Sequence, residues 1–587
     1  MLFFDYLKNL DSNINFLKKR INDDHTLFLV GWCVRDPLLG ITKKPTDIDF
    51  TMAGSPKHLD AILDKRGMSH FMTEKYGTIT LLKDPIKYEL TPLRTEGKYD
   101  DFRHPEDITR SDDLLLDSKR RDFTINCMYY TTTPFIADYT SSLDKKYPHA
   151  YTDDEWLLKT LDDYGYIYIE DFALLIIQAH KHIEKSFSLW MIHPDHIASI
   201  LKLAPILSLG WKKKIGSEKP KSLCILIDPH QGIHDSIHRK LRAVGDPDKR
   251  FNEDALRIIR AIRFVNVLNE KLKVLKISTL KNCKKIKLFD FEKPTWNSVK
   301  SNHALVSNVA KERIKDEIMK AFTDGDPFGF IALLDEARLL EHLFPALYAT
   351  KYVEQPIRYH PFDIYTHTML TLRELQKINK DPLVRFAMLY HDVGKLEQFA
   401  AYGDHLTKEQ IRGIIAGPLN HRRSSPEHAK RDFKALGFSS KEIADIARYI
   451  AHHHTPEEML MTKQENTEKK VRSFLSEAGY KKAMNIFDIT MADRLGQFNP
   501  LQNSSDLSDI DTLRSILKKL QKQEWQFTMK NLAVNGLDIV QHFKIAPSAL
   551  IWTLLKKALD RVINDIKMRN TKTQIYGFLK IQLKHMK

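Results

Sequence analysis

The spacing of apolar residues changes along this chain, and that change limits the architectures open to it. Between Thr26 and Tyr130, short apolar runs such as Thr26-Leu-Phe-Leu-Val30 alternate with brief polar breaks, a strand-and-turn texture that reads as α/β. From Asp254 onward the apolar residues recur at helical spacing, as in Ala255-Leu-Arg-Ile-Ile-Arg-Ala-Ile-Arg-Phe264 and Phe330-Ile-Ala-Leu-Leu-Asp-Glu-Ala-Arg-Leu-Leu340. The expected fold class is therefore α+β, an N-terminal α/β head followed by a predominantly helical remainder. With 587 residues and roughly 100–200 residues per domain, about three to five folded units are expected. Residues 131–222 stand apart as an insertion. They open with a Thr/Pro stretch, carry a helical pattern around Asp171–Lys185 and end in Lys212-Lys-Lys214 and Pro220.

Charge narrows the partners. The chain has a net charge of +15, which favours polyanions, nucleic acid first and anionic membrane second. Membrane insertion is not expected, because no stretch approaches the roughly 20 apolar residues that a bilayer-crossing helix needs. Asp5 interrupts the short apolar run Met1–Tyr6, so no secretory leader is expected there. Cys33, Cys127, Cys224 and Cys283 lie far apart without a CxxC pair, which argues against a thiolate zinc site or a disulfide framework and for a reducing cytoplasm. The basic excess is uneven: residues 501–587 carry 15 Lys/Arg against 7 Asp/Glu. Such a tail suits an RNA backbone as well as it suits a solvated helical surface.

One short segment points to chemistry. Thr46-Asp-Ile-Asp-Phe50 places two carboxylates at i and i+2, which on a strand face the same side and can grip divalent cations. Oxygen ligands suit Mg2+, and phosphoryl transfer needs such a grip to neutralise the triphosphate and the leaving pyrophosphate. Upstream, Val30-Gly-Trp-Cys-Val-Arg-Asp-Pro-Leu-Leu-Gly40 reads as a strand running into a Gly turn and a helix start, where free backbone N–H groups can receive phosphates.

These two segments, followed in order by Arg120-Arg-Asp-Phe-Thr-Ile-Asn126, Ile227-Asp-Pro-His-Gln-Gly232, Gly245-Asp-Pro-Asp-Lys-Arg-Phe251 and Glu253-Asp-Ala-Leu-Arg257, resemble the class II tRNA nucleotidyltransferase and bacterial poly(A) polymerase family. The resemblance implies that Asp47 and Asp49 are the metal-binding catalytic carboxylates, with Glu89 in Tyr88-Glu-Leu-Thr-Pro-Leu-Arg94 as the third. It implies nucleotide binding by Gly31, Arg35, Asp36, Arg121, Asp122, Asn126 and Arg260. Asp254 and Arg257 would read the base of the incoming nucleotide, a carboxylate accepting from an exocyclic amino group and a guanidinium donating to ring acceptors. At i, i+3, the pair would share one helix face. The chain departs from the family at Trp32, where a second glycine is usual. The turn is expected to present that indole away from the phosphates.

A second set of residues lies after position 350. His367, His391-Asp392 in Leu389-Tyr-His-Asp-Val-Gly-Lys395, and Asp493 in Met491-Ala-Asp-Arg-Leu-Gly496 follow the order His…His-Asp…Asp, which resembles the HD phosphohydrolase superfamily. His421, His428 and the run His452-His-His454, with His421 and His453 foremost, could complete a second metal position. Imidazole with carboxylate suits a transition metal or magnesium, and the identity of that divalent metal is left open. Together the two resemblances imply an HD-containing tRNA nucleotidyltransferase. The implied divisions are a head at 1–130, the insertion at 131–222, completion of the head and a helical neck and body at 223–350, an HD domain at 351–500 and a basic helical tRNA-binding tail at 501–587.

The implied activity is template-independent addition or repair of the 3′-CCA of tRNA from CTP and ATP, with phosphohydrolase chemistry at the histidine site that would free a blocked RNA 3′ end. A poly(A) polymerase, or an enzyme adding only CC or only A, shares the same head motifs. An HD phosphohydrolase with a degenerate head and a non-catalytic RNA-binding module are the readings of other classes. The sequence does not define an oligomeric state.

Overall fold

The computed structural model describes residues 17, 21, 26–41, 47–74, 77–83, 85–96, 108–111, 114–132, 167–169, 172–178, 222–279, 287–355, 362–402, 420–460, 467–497, 507–522, 529–564 and 570–585. The chain divides into two compact units, Met1–Arg313 and Ile314–Lys587.

The first unit is built on a mixed sheet. Its strands are β1 (Thr26–Val30), β2 (Asp47–Ala53), β3 (His70–Thr73), β4 (Thr78–Lys83) and β5 (Ile86–Pro92), with Arg94–Glu96 (β6) and Ile108–Arg110 (β7) forming a separate ribbon, then β8 (Tyr129–Thr132), β9 (Ile167–Ile169), β10 (Phe172–Gln178) and β11 (Ser222–Asp228). The nine sheet strands run in the order β3-β4-β5-β2-β1-β8-β11-β10-β9. Strand β2 pairs in parallel with β5 and antiparallel with β1. The period of two sorts their side chains: Ile48, Phe50, Tyr88 and Leu90 are buried in the core, so Asp47, Asp49 and Glu89 point to the opposite face.

The segment 131–222 contributes to this same sheet. Its described residues include the end of β8, all of β9 and β10 and the first residue of β11, and β10 lies parallel to β11 with Phe172 opposite Ser222 and Gln178 opposite Asp228. The helical pattern expected around Asp171–Lys185 is corrected here, because Phe172–Gln178 is a strand. The run Phe172-Ala-Leu-Leu-Ile-Ile177 is apolar throughout, and periodicity alone does not separate an apolar strand from an apolar helix turn.

Helices of the first unit are α1 (Trp32–Leu38), α2 (Pro56–Lys65), α3 (Leu114–Lys119), α4 (Gly232–His238), α5 (Pro247–Glu253), α6 (Leu256–Thr279) and α7 (Lys293–Ser301). Helix α8 (Lys311–Asp324) starts at the end of this unit. The second unit holds α9 (Pro327–Glu336), α10 (Ile364–Ile378), α11 (Pro382–Tyr390), α12 (Lys395–Tyr402), α13 (His421–Ala435), α14 (Ser440–Ala451), α15 (Thr455–Leu460), α16 (Thr467–Ala478), α17 (Tyr480–Gly496), α18 (Ser508–Lys522), α19 (Gly536–Phe543), α20 (Ala549–Asn564) and α21 (Lys572–His585). Four helices begin at Ser-Pro or Asp-Pro: Ser55, Asp246, Asp326 and Asp381 accept first-turn N–H groups, and the following proline costs no hydrogen bond at a position that has none. An aromatic cluster of Phe344, Phe386, Tyr390, Phe433 and Phe438 fills the centre of the helical unit. The last three helices bury a core of their own, including Val534, Ile539, Leu554, Ala558, Ile575 and Leu579. No helix among the described residues is long and apolar enough to cross a membrane.

Candidate functional site

The register of β2 on β5 sets Asp49 directly opposite Glu89 and Asp47 opposite Lys87. Three carboxylates thereby crowd one patch of the sheet face, with Lys87 paired to Glu89. Burial, then repulsion from Asp47 and Glu89, pushes Asp49 up to about 7 against the opposing pull of Arg121 and Lys87. Asp47 is also raised, by burial and then by Glu89. Its Oδ1 is buried without a hydrogen-bond partner. Crowded, partly desolvated carboxylates with one unsatisfied oxygen fit a hard divalent cation, which would supply the missing positive charge.

The turn before these carboxylates brings backbone close to them. Gly31 ends β1 with φ +70°, and a Cβ added there would lie 3.8 Å from Asp49 Oδ2. Trp32, the first residue of α1, is partly buried and packs against the apolar core of the head.

The residues implied in nucleotide binding join into one polar chain. Lys271 donates to Asp36 (2.8 Å), Arg35 binds Asp36 through Nε (2.7 Å) and Asn126 Oδ1 through Nη1 (2.6 Å), Asn126 Nδ2 donates to Asp122 (3.2 Å), and Arg260 donates to Asp122 through Nη2 and Nε (2.6 and 3.0 Å). Charges alternate along it, tying α1 and the Thr124–Asn126 turn to α6. Lys271 was not singled out in the sequence, although it stands 11 residues, about three turns, beyond Arg260 on the same helix. Arg121 is held elsewhere, by Asp117 (3.0 Å) and the Tyr129 hydroxyl (2.8 Å).

Burial of Asp122 would raise its carboxyl, but Arg260 and the hydrogen bond from Asn126 outweigh that and hold it at about 2. A folded value below the ordinary carboxylate value of about 3.9 contributes stability above pH 4, and that contribution is lost as pH falls toward 2. Arg260→Gln is therefore expected to destabilise the head by about 2 kcal/mol at pH 7. In urea unfolding followed from pH 7 to pH 2, the gap between parent and variant should close below pH 4; a gap that does not change with pH contradicts the assignment.

Asp254 and Arg257 do not share a helix face, which corrects the i, i+3 expectation. Asp254 has extended backbone (φ −144°, ψ 97°) at the joint after α5, and it accepts the Leu256 N–H (3.2 Å) at the start of α6. The short polar side chain caps the second helix rather than continuing the first. Its carboxylate is gripped by Arg313 through two bonds of 3.1 and 2.8 Å. Arg257 donates to Glu253 (3.0 Å) and to the carbonyls of Arg250 (3.1 Å) and Arg120 (2.7 Å).

In the helical unit, α10 carries His367, the end of α11 carries His391 and Asp392, and α17 carries Asp493. His367 Nε2 lies 3.0 Å from Asp493 and 3.4 Å from Asp392, while His391 Nε2 lies 3.3 Å from Asp392 and 3.5 Å from Asp493. All four are buried. Beside them, His421 from α13 meets His453 and His454 from the turn after α14, with His421 Nε2 3.5 Å from Asp392 and 3.3 Å from His454 Nε2. Ligand atoms about 3.0–3.4 Å apart suit neighbouring positions around one ion with bonds of about 2.1 Å.

Outer contacts aim these rings inward. His391 Nδ1 faces the Met388 carbonyl (2.7 Å), His453 Nδ1 the Ile450 carbonyl (2.5 Å) and His454 Nδ1 the Glu457 carboxylate (2.9 Å), which leaves each Nε2 directed into the cluster. The Nε2 of His453 has no hydrogen-bond partner there. Despite burial, Asp392 and its neighbouring carboxylate push His391 up to about 10, whereas burial takes His421 down to about 3. Asp392 and Asp493 are held well below the usual carboxylate range, since the histidines, joined at Asp392 by Lys395, outweigh their burial. His428 is not part of this group, because Glu397 holds it at 2.6 Å, and His452 turns to Thr455. His454 is the member that the foremost sequence set left out.

Close helix packing brings His367 on α10 to Asp493 on α17. A Cβ on Gly496 would meet Thr371 Cγ2 at 2.4 Å and the Thr371 backbone N at 2.8 Å, so α10 and α17 approach only because position 496 lacks one. Gly496→Ala is expected to cost about 1–3 kcal/mol and to part His367 from Asp493. Thermal unfolding together with metal stoichiometry checks this, and an unchanged value of both would refute it.

Residues 27–145 match the family described as "Poly A polymerase head domain", and residues 288–350 match "Probable RNA and SrmB- binding site of polymerase A". The chain is similar to the CCA-adding enzyme of Lactobacillus helveticus (strain DPC 4571), 26% identical over 296 residues, covering 50% of this chain and 45% of that protein. It is likewise similar to the CCA-adding enzyme of Anoxybacillus flavithermus (strain DSM 21510 / WK1), 26% identical over 323 residues, covering 54% and 52%. The chain thus spans about half the length of the curated relatives it matches. Among solved structures, the Bacillus stearothermophilus CCA-adding enzyme in complex with CTP shares the fold, with a TM-score of 0.53 and 18% identity over 96% of this chain and 94% of that one.

Proposed function

We propose that this chain, which carries a poly A polymerase head domain, is a tRNA nucleotidyltransferase that adds or repairs the 3′-terminal CCA from CTP and ATP without a template. The observation that carries the reading is the crowding of Asp47, Asp49 and Glu89 beside the Gly31 turn, with Asp47 Oδ1 buried and without a hydrogen-bond partner. Asp47 and Asp49 would hold Mg2+, with Glu89 beside them; bound there, the cation supplies charge neutralisation for the triphosphate and a lower pKa for the attacking hydroxyl. The tRNA 3′-hydroxyl attacks the α-phosphorus of the nucleotide and pyrophosphate leaves. Gly31 lets backbone approach the phosphates, and Arg35, Asp36, Asn126, Asp122 and Arg260 form the rigid polar wall that positions sugar and phosphate, with Arg121 close enough to act on Asp49. Asp254 and Arg257 select the base. The basic segment 501–587 would hold the acceptor arm by backbone shape rather than by sequence.

The second centre, His367, His391, Asp392 and Asp493 with His421, His453 and His454, reads as an HD-type phosphohydrolase site for one or two divalent ions of unassigned identity. It would activate water against a phosphoester and so free a blocked RNA 3′ end. Work in the cytoplasm belongs to the same reading, in keeping with the four scattered cysteines of the sequence. Poly(A) synthesis and partial CC or A addition use the same head and are the nearest alternatives. An HD phosphohydrolase with a degenerate head is less well supported, because Trp32 packs on the core.

The test is incorporation from CTP, ATP, UTP or GTP singly and together into tRNA lacking CCA, with and without a 3′-phosphate. Two C residues followed by one A support the proposal. A long A tail without C incorporation sinks it.

A further inference from the structure

Two base-reading side chains are only as selective as their aim, and the aim of Asp254 is set by a residue 59 positions away. Arg313, in the first turn of α8, donates Nη1 to Asp254 Oδ1 (3.1 Å) and Nη2 to Oδ2 (2.8 Å). This is the two-bond fork that a planar guanidinium makes with a carboxylate, and it fixes the carboxylate plane as well as its position.

The acceptor inventory shows what the fork leaves. A carboxylate has about four lone-pair positions, two on each oxygen. Oδ1 takes Arg313 and the Leu256 N–H, while Oδ2 takes Arg313 alone. One acceptor position remains, on Oδ2, on a side chain that is 17% exposed. Arg257 keeps donors of its own: Glu253 and the Arg250 carbonyl occupy Nη1 and the Arg120 carbonyl takes one hydrogen of Nη2, which leaves the second Nη2 hydrogen and Nε–H. A single free acceptor on Asp254 beside a guanidinium with donors to spare suits cytosine and adenine, which present an amino donor beside a ring acceptor. Uracil and guanine present the reverse order.

We propose that Arg313 is a positioning residue for nucleotide selection, holding the Asp254 carboxylate so that a single Oδ2 acceptor faces the incoming base. The inference rests on the reading of Asp254 and Arg257 as the base-selecting pair. With the fork removed, the carboxylate turns about its own bond and its other lone pairs come free. Bases that present the wrong edge then meet water and an adaptable side chain instead of a fixed mismatch.

The experiment measures kcat and KM for CTP and UTP on tRNA lacking CCA, using full-length wild type, Arg313→Ala, Arg313→Lys and Asp254→Ala, with thermal melts of each. In Arg313→Ala the preference for CTP over UTP, as a ratio of kcat/KM, is expected to fall at least about tenfold, through a raised KM for CTP without a matching rise for UTP. Arg313→Lys should not restore it, since a single ammonium cannot reproduce two coplanar N–H donors; if the alanine variant fails to fold, the lysine variant carries the test alone. A purely structural arginine would depress both nucleotides alike and would be rescued by lysine, and that result overturns the inference. If Asp254→Ala loses the preference while both Arg313 variants keep the wild-type ratio, the positioning role is refuted and the base-reading assignment stands. If wild type itself shows no preference for CTP over UTP, both are refuted.

Discussion

Asp49→Ala is expected to lower nucleotide incorporation at least about a thousandfold, roughly 4 kcal/mol of transition-state stabilisation, while RNA binding stays within a few-fold. The carboxylate stands opposite Glu89 and two residues from Asp47, where it would hold a cation rather than the RNA backbone. Stability provides a second readout that separates lost chemistry from lost folding. Asp49 is raised to about 7 in the folded protein. A raised carboxyl means that the folded state binds its proton more tightly, so ionising it costs stability once pH exceeds the unfolded value of about 3.9, and the full cost is present above pH 7. Asp49→Asn removes that cost. Without divalent ions at pH 8 the variant should be more stable than the parent by about 1–2 kcal/mol, with the difference vanishing below pH 4. An inactive variant that is also less stable would show that Asp49 is a structural residue, and full activity would remove it from the mechanism.

Asp493→Asn is expected to weaken metal binding at the histidine centre at least about a hundredfold and to abolish hydrolysis of 2′,3′-cyclic phosphate ends, with incorporation from CTP unchanged on intact acceptor ends. The carboxylate is nearly fully buried and lies within 3.5 Å of both His367 and His391, so its loss removes the negative charge that the cluster offers to a cation. Amide replaces carboxylate at nearly equal volume, which keeps the packing of α10 on α17. Metal content after dialysis, measured beside the two activities, checks the prediction. Retention of metal by the variant would remove Asp493 from the ligand set, and a wild type that holds no metal after dialysis would mean that the buried histidines and aspartates are only an ion-pair network, which is the alternative meaning of strongly shifted titrations.

Much of this was legible from residue order, for identifiable reasons. The pair Asp47 and Asp49 could be read because a strand's period of two puts i and i+2 on one face wherever the strand lies. The helical texture after Asp254 could be read because burial on one side of a helix leaves its period in the sequence. The strand Phe172–Gln178 could not, since an unbroken apolar run carries no period, and its partner Ser222–Asp228 lies some 50 residues further on. Nor could the geometry of Asp254 and Arg257: spacing alone does not reveal that a backbone break falls between them.

By itself the sequence determined which side chains are able to bind cations and phosphates, and the α+β division of the chain, because composition, local period and ordered motifs are properties of neighbouring residues. Tertiary structure alone decided that Glu89 stands opposite Asp49, that Trp32 faces the core, that His454 rather than His428 joins His421 and His453, and that Arg313 grips Asp254. Each of these is a contact between segments far apart in the chain. Strand register and helix packing fix such contacts, and neither is written in the spacing of nearby residues.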